Sequence, residues 1–160
     1  MAKKDFDLDG DGVTSKEEIE AAKLLKFKYD LEFKIYIIGR GYNHNLLNNF
    51  IKNNGLIKNV KIAGFKKDAY VYLKSSDLFV LTSKYEGLPN TLLESQLANV
   101  PIISTNCSTG PKEILLNGKL GDIFKVGDYQ NLAKKINNFS SKKNILKKKS
   151  SLAKKYFYRY

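Results

Sequence analysis

Apolar residues in this chain fall into short clusters that alternate between two spacings. Continuous apolar or β-branched runs occupy Phe33-Lys34-Ile35-Tyr36-Ile37-Ile38, Val60 to Phe65, Leu78-Phe79-Val80-Leu81, Pro101-Ile102-Ile103-Ser104-Thr105 and Gly121 to Val126. Such runs predict strands buried on both faces. Between them lie segments with helical spacing. Lys16 to about Lys28 carries Ile19, Ala22, Leu24 or Leu25 and Phe27 on one side. The next has Leu46, Leu47, Phe50 and Ile51 as its buried face, starts in a polar stretch with His44 at the surface, and ends at Asn53-Asn54-Gly55. Shorter helices are predicted over Ala69 to Leu73, Thr91 to Ala98 and Gly110 to Leu116, and a final one over Tyr129 to Phe139. Strands alternating with helices predict an α/β protein built on a doubly wound parallel sheet.

The stretch from Leu78 to Thr105 is a βαβ unit with a distinctive centre, Ser83-Lys84-Tyr85-Glu86-Gly87-Leu88-Pro89-Asn90-Thr91-Leu92-Leu93-Glu94. Gly87 and Pro89 break the strand, and Asn90 is placed to cap the helix that follows. With that cap, the amides of Thr91, Leu92 and Leu93 lack intrahelical partners and point outward at the positive end of the helix dipole. That is a site for a phosphate. Glu86 precedes it and Glu94 lies one turn into the helix, on the face of Asn90. Carboxylates there suit hydroxyls, as on a ribose or a sugar. Two isolated glutamates would equally fit a solvated loop and an ordinary surface helix.

The blocks around them are more specific. Ser83, Glu86-Gly87-Leu88-Pro89-Asn90, Leu93-Glu94-Ser95, Pro101-Ile102-Ile103-Ser104-Thr105 and Cys107-Ser108-Thr109-Gly110-Pro111-Lys112-Glu113-Ile114 stand in order. Together they resemble the donor-binding signature of the family-4 (group 1) glycosyltransferases of the GT-B fold. The resemblance implies a Rossmann-like lobe in which Glu86 faces the donor sugar as the catalytic glutamate and Glu94 holds the nucleotide ribose. The backbone through Gly87, Leu88, Asn90, Thr91 and Leu92 would meet the diphosphate, and Gly39 and Gly41 of Gly39-Arg40-Gly41 would sit beside the donor. It further implies a retaining transfer from a nucleotide-diphosphate sugar, with a UDP-sugar as the expected substrate, to a glycan or lipid-linked acceptor, with no metal needed in the donor site. Val100 departs from the pattern, which usually has Gly before the Pro of the next strand.

The resemblance covers roughly residues 20–139 and one lobe only. A GT-B enzyme also has an acceptor-binding lobe, which a partner chain would have to supply here. The first strand of the donor lobe is expected to be missing as well. Its following loop in the family carries an Arg and a Lys that neutralise the diphosphate; no residue here takes those roles, and Arg40 does not match by position.

An acidic loop stands in that place. Asp7-Leu8-Asp9-Gly10-Asp11-Gly12-Val13-Thr14-Ser15-Lys16-Glu17-Glu18 resembles a single EF-hand calcium loop. Asp7, Asp9, Asp11, the Val13 carbonyl, Ser15 and Glu18 fall at the ligand positions, with Gly12 at the sharp turn. Only six residues precede it, too few for an entering helix, and no second loop is present to pair with it. A disordered acidic N-terminus that caps the next helix through Ser15 is the plainer reading. The alternative function on this basis is a non-catalytic calcium-binding module on a degenerate Rossmann lobe. Three segments are therefore expected: 1–19, the calcium loop and helix start; 20–139, the nucleotide-sugar-binding lobe; and 140–160, a basic C-terminal tail.

Charge sharpens that division. The net charge is +12, yet residues 1–20 hold seven acids against three lysines, while 139–160 hold eight bases and no acid. The tail places Ile145, Leu152 and Tyr156 near one helical face. It reads as a solvated helix, or as a peripheral contact with an anionic membrane, at about 1 kcal/mol per base near the surface. Lys beside Tyr and Phe would also suit nucleic acid, but no nucleic-acid motif accompanies them. At 160 residues the chain holds one domain with a core. No apolar run approaches the roughly 20 residues that span a bilayer, and no secretory signal opens the sequence. The single Cys107 excludes an internal disulfide and the single His44 excludes His-based triads. A cytoplasmic location is the expectation.

Overall fold

A computed structural model of the chain describes residues 2–5, 14–39 and 44–157, with backbone alone at 2–5 and 14–17. The strands are β1 (Ala2–Asp5), β2 (Ile35–Ile38), β3 (Val60–Gly64), β4 (Leu78–Leu81), β5 (Ile102–Thr105) and β6 (Asp122–Phe124). The helices are α1 (Thr14–Phe27), α2 (His44–Asn53), α3 (Ala69–Lys74), α4 (Asn90–Leu97), α5 (Pro111–Ile114), α6 (Tyr129–Ser141) and α7 (Lys143–Tyr156). One sheet holds all six strands in the order β3-β2-β1-β4-β5-β6, and every pairing is parallel. This is the doubly wound arrangement read from the alternating pattern.

One expectation is overturned at once. The first strand is present: Ala2–Asp5 pairs with β2 on one side and β4 on the other, at the centre of the sheet. Ala2-Lys3-Lys4-Asp5 shows no apolar run, so periodicity gives no signal. Ladder hydrogen bonds, however, need only backbone, and strands on both sides supply them.

β4 explains the two-sided burial. Leu78 and Val80 belong to a core with Ala21, Leu25, Ile103, Leu132 and Phe139, while Phe79 and Leu81 belong to another with Leu92, Ile102, Ile114 and Leu115. Successive side chains point to opposite faces, so each face needs a helical layer. A third cluster, Ile19, Ala22, Ile37, Leu47, Ile51, Leu56 and Val60, closes the β2–β3 side. Sequence spacing erred in places: Leu46 and Phe27 are both 66% exposed rather than core.

The tail is part of the fold. α7 buries Leu146, Ser150 and Ala153 and leaves Ile145, Leu152 and Tyr156 outward, so the anticipated apolar stripe is the outer one. Leu146 joins the core that contains Phe124 and Ala153 the core on the other face. Lys149 Nζ fixes the crossing, donating to Asp122 Oδ1 at 2.6 Å and to the Gly118 carbonyl at 2.8 Å.

Candidate functional site

In an open parallel sheet ligands bind outside the carboxyl ends of the strands, where the strand order reverses. Here that point lies between β1 and β4. The chain leaves β4 at Leu81, runs through the buried Thr82 and Ser83, crosses the loop 84–89 and enters α4. The glutamate-bearing segment is therefore at the switch point.

The helix start differs from expectation. Pro89, not Asn90, is the cap, with no side-chain capping bond, and Asn90 is the first helical residue. A proline in extended conformation ends the loop without needing an amide partner. The Leu92 amide donates to the Pro89 carbonyl at 2.9 Å, so it is turned inward rather than toward a ligand, and the Leu92 side chain is wholly buried. The outward donors at this helix end reduce to the amides of Asn90 and Thr91. Ser95 Oγ donates to the Thr91 carbonyl at 2.6 Å, and buried Gln96 Nε2 donates to the Ile114 carbonyl at 3.2 Å, tying α4 to α5.

Glu86 is half-buried in the loop, Gly87 and Asn90 are exposed, and Leu88 is 56% exposed. Glu94 lies at the surface one turn into α4. Partial desolvation of its carboxyl raises its pKa above the ordinary glutamate value. Gly39 follows β2 with φ +150 and donates its amide to the Gly64 carbonyl at 3.2 Å; Gly41 lies outside the described residues.

The loop backbone is held from the β5 side. Thr105 Oγ1 donates to the Ser83 carbonyl at 2.7 Å, and Thr109 Oγ1 donates to the Glu86 carbonyl. Gly110, at φ +84, lies so close that a Cβ there would run into the Gly87 carbonyl and sit 2.6 Å from Pro89 Cδ. Thr105, Thr109 and Gly110 fall inside the signature blocks, but nothing in their spacing shows which backbone atoms they meet.

Of the calcium pattern, Asp7, Asp9, Asp11 and Val13 lie outside the described residues, and Ser15 is described only as backbone in α1. Glu18, expected to close the coordination shell, is 5% exposed. Its Oε1 accepts a hydrogen bond from the buried Thr82 hydroxyl beyond β4. Among the described residues no group of three metal-ligating side chains comes together.

Residues 15–156 match the family model described as glycosyl transferases group 1. The chain belongs to this family. An uncharacterized glycosyltransferase of Methanocaldococcus jannaschii is 45% identical over 82 residues, 51% of this chain and 20% of that protein. The lipopolysaccharide core biosynthesis glycosyltransferase LpsE of Rhizobium meliloti is 30% identical over 102 residues, 64% of this chain and 30% of its own length. The chain thus spans a third or less of those relatives. Among solved structures, Anabaena HepE in complex with UDP superposes with TM-score 0.85 at 20% identity, over 99% of this chain and 44% of that one. The C-terminal domain of a Francisella tularensis group 1 family protein superposes with TM-score 0.74 at 18% identity, over 96% of this chain and 82% of that one. These likenesses show the fold, a Rossmann-like lobe of GT-B type.

Proposed function

We propose that the chain is the donor-binding lobe of a retaining glycosyltransferase that transfers a sugar from a UDP-sugar to a glycan or lipid-linked acceptor. The observation that carries this is the placement of the Glu86–Glu94 loop and helix at the reversal of strand order between β1 and β4. Glu86 would face the sugar and Glu94 would accept from the ribose hydroxyls. The Gly87 loop and the Asn90 and Thr91 amides would stabilise the leaving diphosphate, a preorganised electrostatic contribution. Support comes from the family membership, from the name of LpsE and from the UDP and UDP-glucose complexes of HepE. Transfer needs an acceptor-binding lobe, supplied by a longer chain or by a partner chain.

Calorimetric titration with UDP tests the reading. Binding is expected, with Glu94→Ala weakening it about tenfold, as for loss of a hydrogen bond to a charged group. A folded chain that takes up no UDP would overturn it.

Peripheral contact with an anionic membrane forms a second part of the reading. It rests on the outer face of α7, where Lys147, Lys148, Lys154 and Lys155 are exposed around Ile145 and Leu152. Flotation with phosphatidylglycerol vesicles should be lost on reversing Lys147, Lys148 and Lys155 to Glu; binding that survives the reversal removes this part. No helix among the described residues is long and apolar enough to cross a membrane. The Glu18 carboxyl, the last ligand position of the calcium pattern, accepts from the Thr82 hydroxyl.

A further inference from the structure

We infer that the segment between β5 and α5 is a template for the glutamate loop, with Thr109 as a positioning residue for Glu86. This rests on the donor-lobe reading for its consequence, though not for its geometry.

Three contacts converge on Ser83 and the loop after it, two by threonine hydroxyls on backbone carbonyls and one by Gly110 against the Gly87 carbonyl and the Pro89 ring. Thr105 at the end of β5 holds the Ser83 carbonyl. Thr109 holds the Glu86 carbonyl. Gly110 packs against the Gly87 carbonyl and Pro89, with its backbone in the left-handed region that favours glycine. Fixing the peptide that links Glu86 to Gly87 also fixes the direction in which the Glu86 side chain leaves the chain.

The template is itself anchored. Pro111, at the first turn of α5, is buried, as is Ile114. The Leu115 amide donates to the Pro111 carbonyl at 2.9 Å, and Gln96 of α4 donates to the Ile114 carbonyl. The template is thus tied to α4, and the glutamate loop spans the gap between β4 and α4. Glu94 is held by the helix and owes nothing to Thr109. Loss of the Thr109 hydroxyl should therefore loosen the sugar end of the donor more than the nucleotide end.

Thr109→Val keeps the shape of the side chain and removes the donor. In the full chain, calorimetry with UDP and with UDP-glucose is compared with backbone nitrogen relaxation order parameters at Gly87 and Leu88 measured without ligand. The variant is expected to bind UDP-glucose about three- to tenfold more weakly, the range of one lost hydrogen bond. UDP, which also meets the Gly87 loop in the proposed reading, should weaken by less than UDP-glucose, the order parameters at Gly87 and Leu88 should fall, and Thr109→Ser should restore both readouts. Equal weakening toward UDP and UDP-glucose would reduce Thr109 to a structural residue and overturn the inference. If the wild-type chain binds neither nucleotide, the donor reading falls, and the relaxation comparison still decides the template: unchanged order parameters at Gly87 and Leu88 in Thr109→Val overturn it.

Discussion

Glu94 and Gly110 show how single residues carry this site. The Glu94 carboxyl is held above the ordinary glutamate pKa by partial desolvation. A raised pKa means the ionised form is disfavoured in the fold. The penalty is therefore present at neutral pH and is relieved as pH falls through the raised value. The proposed ribose contact has the opposite need, since a carboxylate is a pure acceptor and its protonated form is not. UDP affinity should accordingly decline on acidification from a higher pH than an ordinary glutamate would give, and Glu94→Gln should flatten that decline. A titration of affinity against pH, with and without the substitution, reads this directly. Gly110 poses a steric question. An alanine there adds a Cβ against the Gly87 carbonyl and keeps a left-handed φ of +84. Gly110→Ala should destabilise the chain by about 1–3 kcal/mol through overpacking and strain, measured by urea unfolding.

At the scale of elements, α7 and α4 depart most from what periodicity suggests. On α7 both Ile145 and Leu146 are apolar neighbours, yet only Leu146 meets a core, because the helix packs against α4 and α6 with Lys149 fastened to Asp122 and Gly118. Leu146→Ala should cost about 2–4 kcal/mol, as for a buried leucine, and Leu152→Ala under about 0.5 kcal/mol. Similar losses for the two would mean that α7 is not docked as described. A helix with apolar residues on two sides does not announce which side packs; the partner decides. On α4 the cap passed from Asn90 to Pro89. Asparagine is the better capping residue by propensity, but the template contacts set the path of the loop and turn the chain one residue earlier. The eight-residue helix and its neighbours were otherwise legible, because Leu92 and the strands on either side form apolar runs bounded by Gly and Pro.

At the scale of the whole molecule, the decisive element is β1. Its four residues separate the two halves of the sheet and make the switch point at which the candidate site lies. Deleting residues 1–5 should remove the parallel ladders to both β2 and β4. The cooperative thermal transition seen by circular dichroism is expected to be lost; a deletion variant that melts with the full chain would show that β1 is dispensable.

The sequence by itself determined the alternation of strands and helices, the parallel sheet, the family signature and the segment that bears Glu86 and Glu94. These are written in local spacing, which follows from the pitch of a helix, the pleat of a strand and the conformational limits of Gly and Pro. Tertiary structure alone decided that Ala2–Asp5 completes the sheet and that Glu18 faces Thr82. It also decided that Leu146 rather than Ile145 is core, and that Thr109 and Gly110 hold the glutamate loop. Each of these depends on which backbone atoms meet across a long separation in sequence, and neither hydrophobic period nor residue propensity records such a meeting.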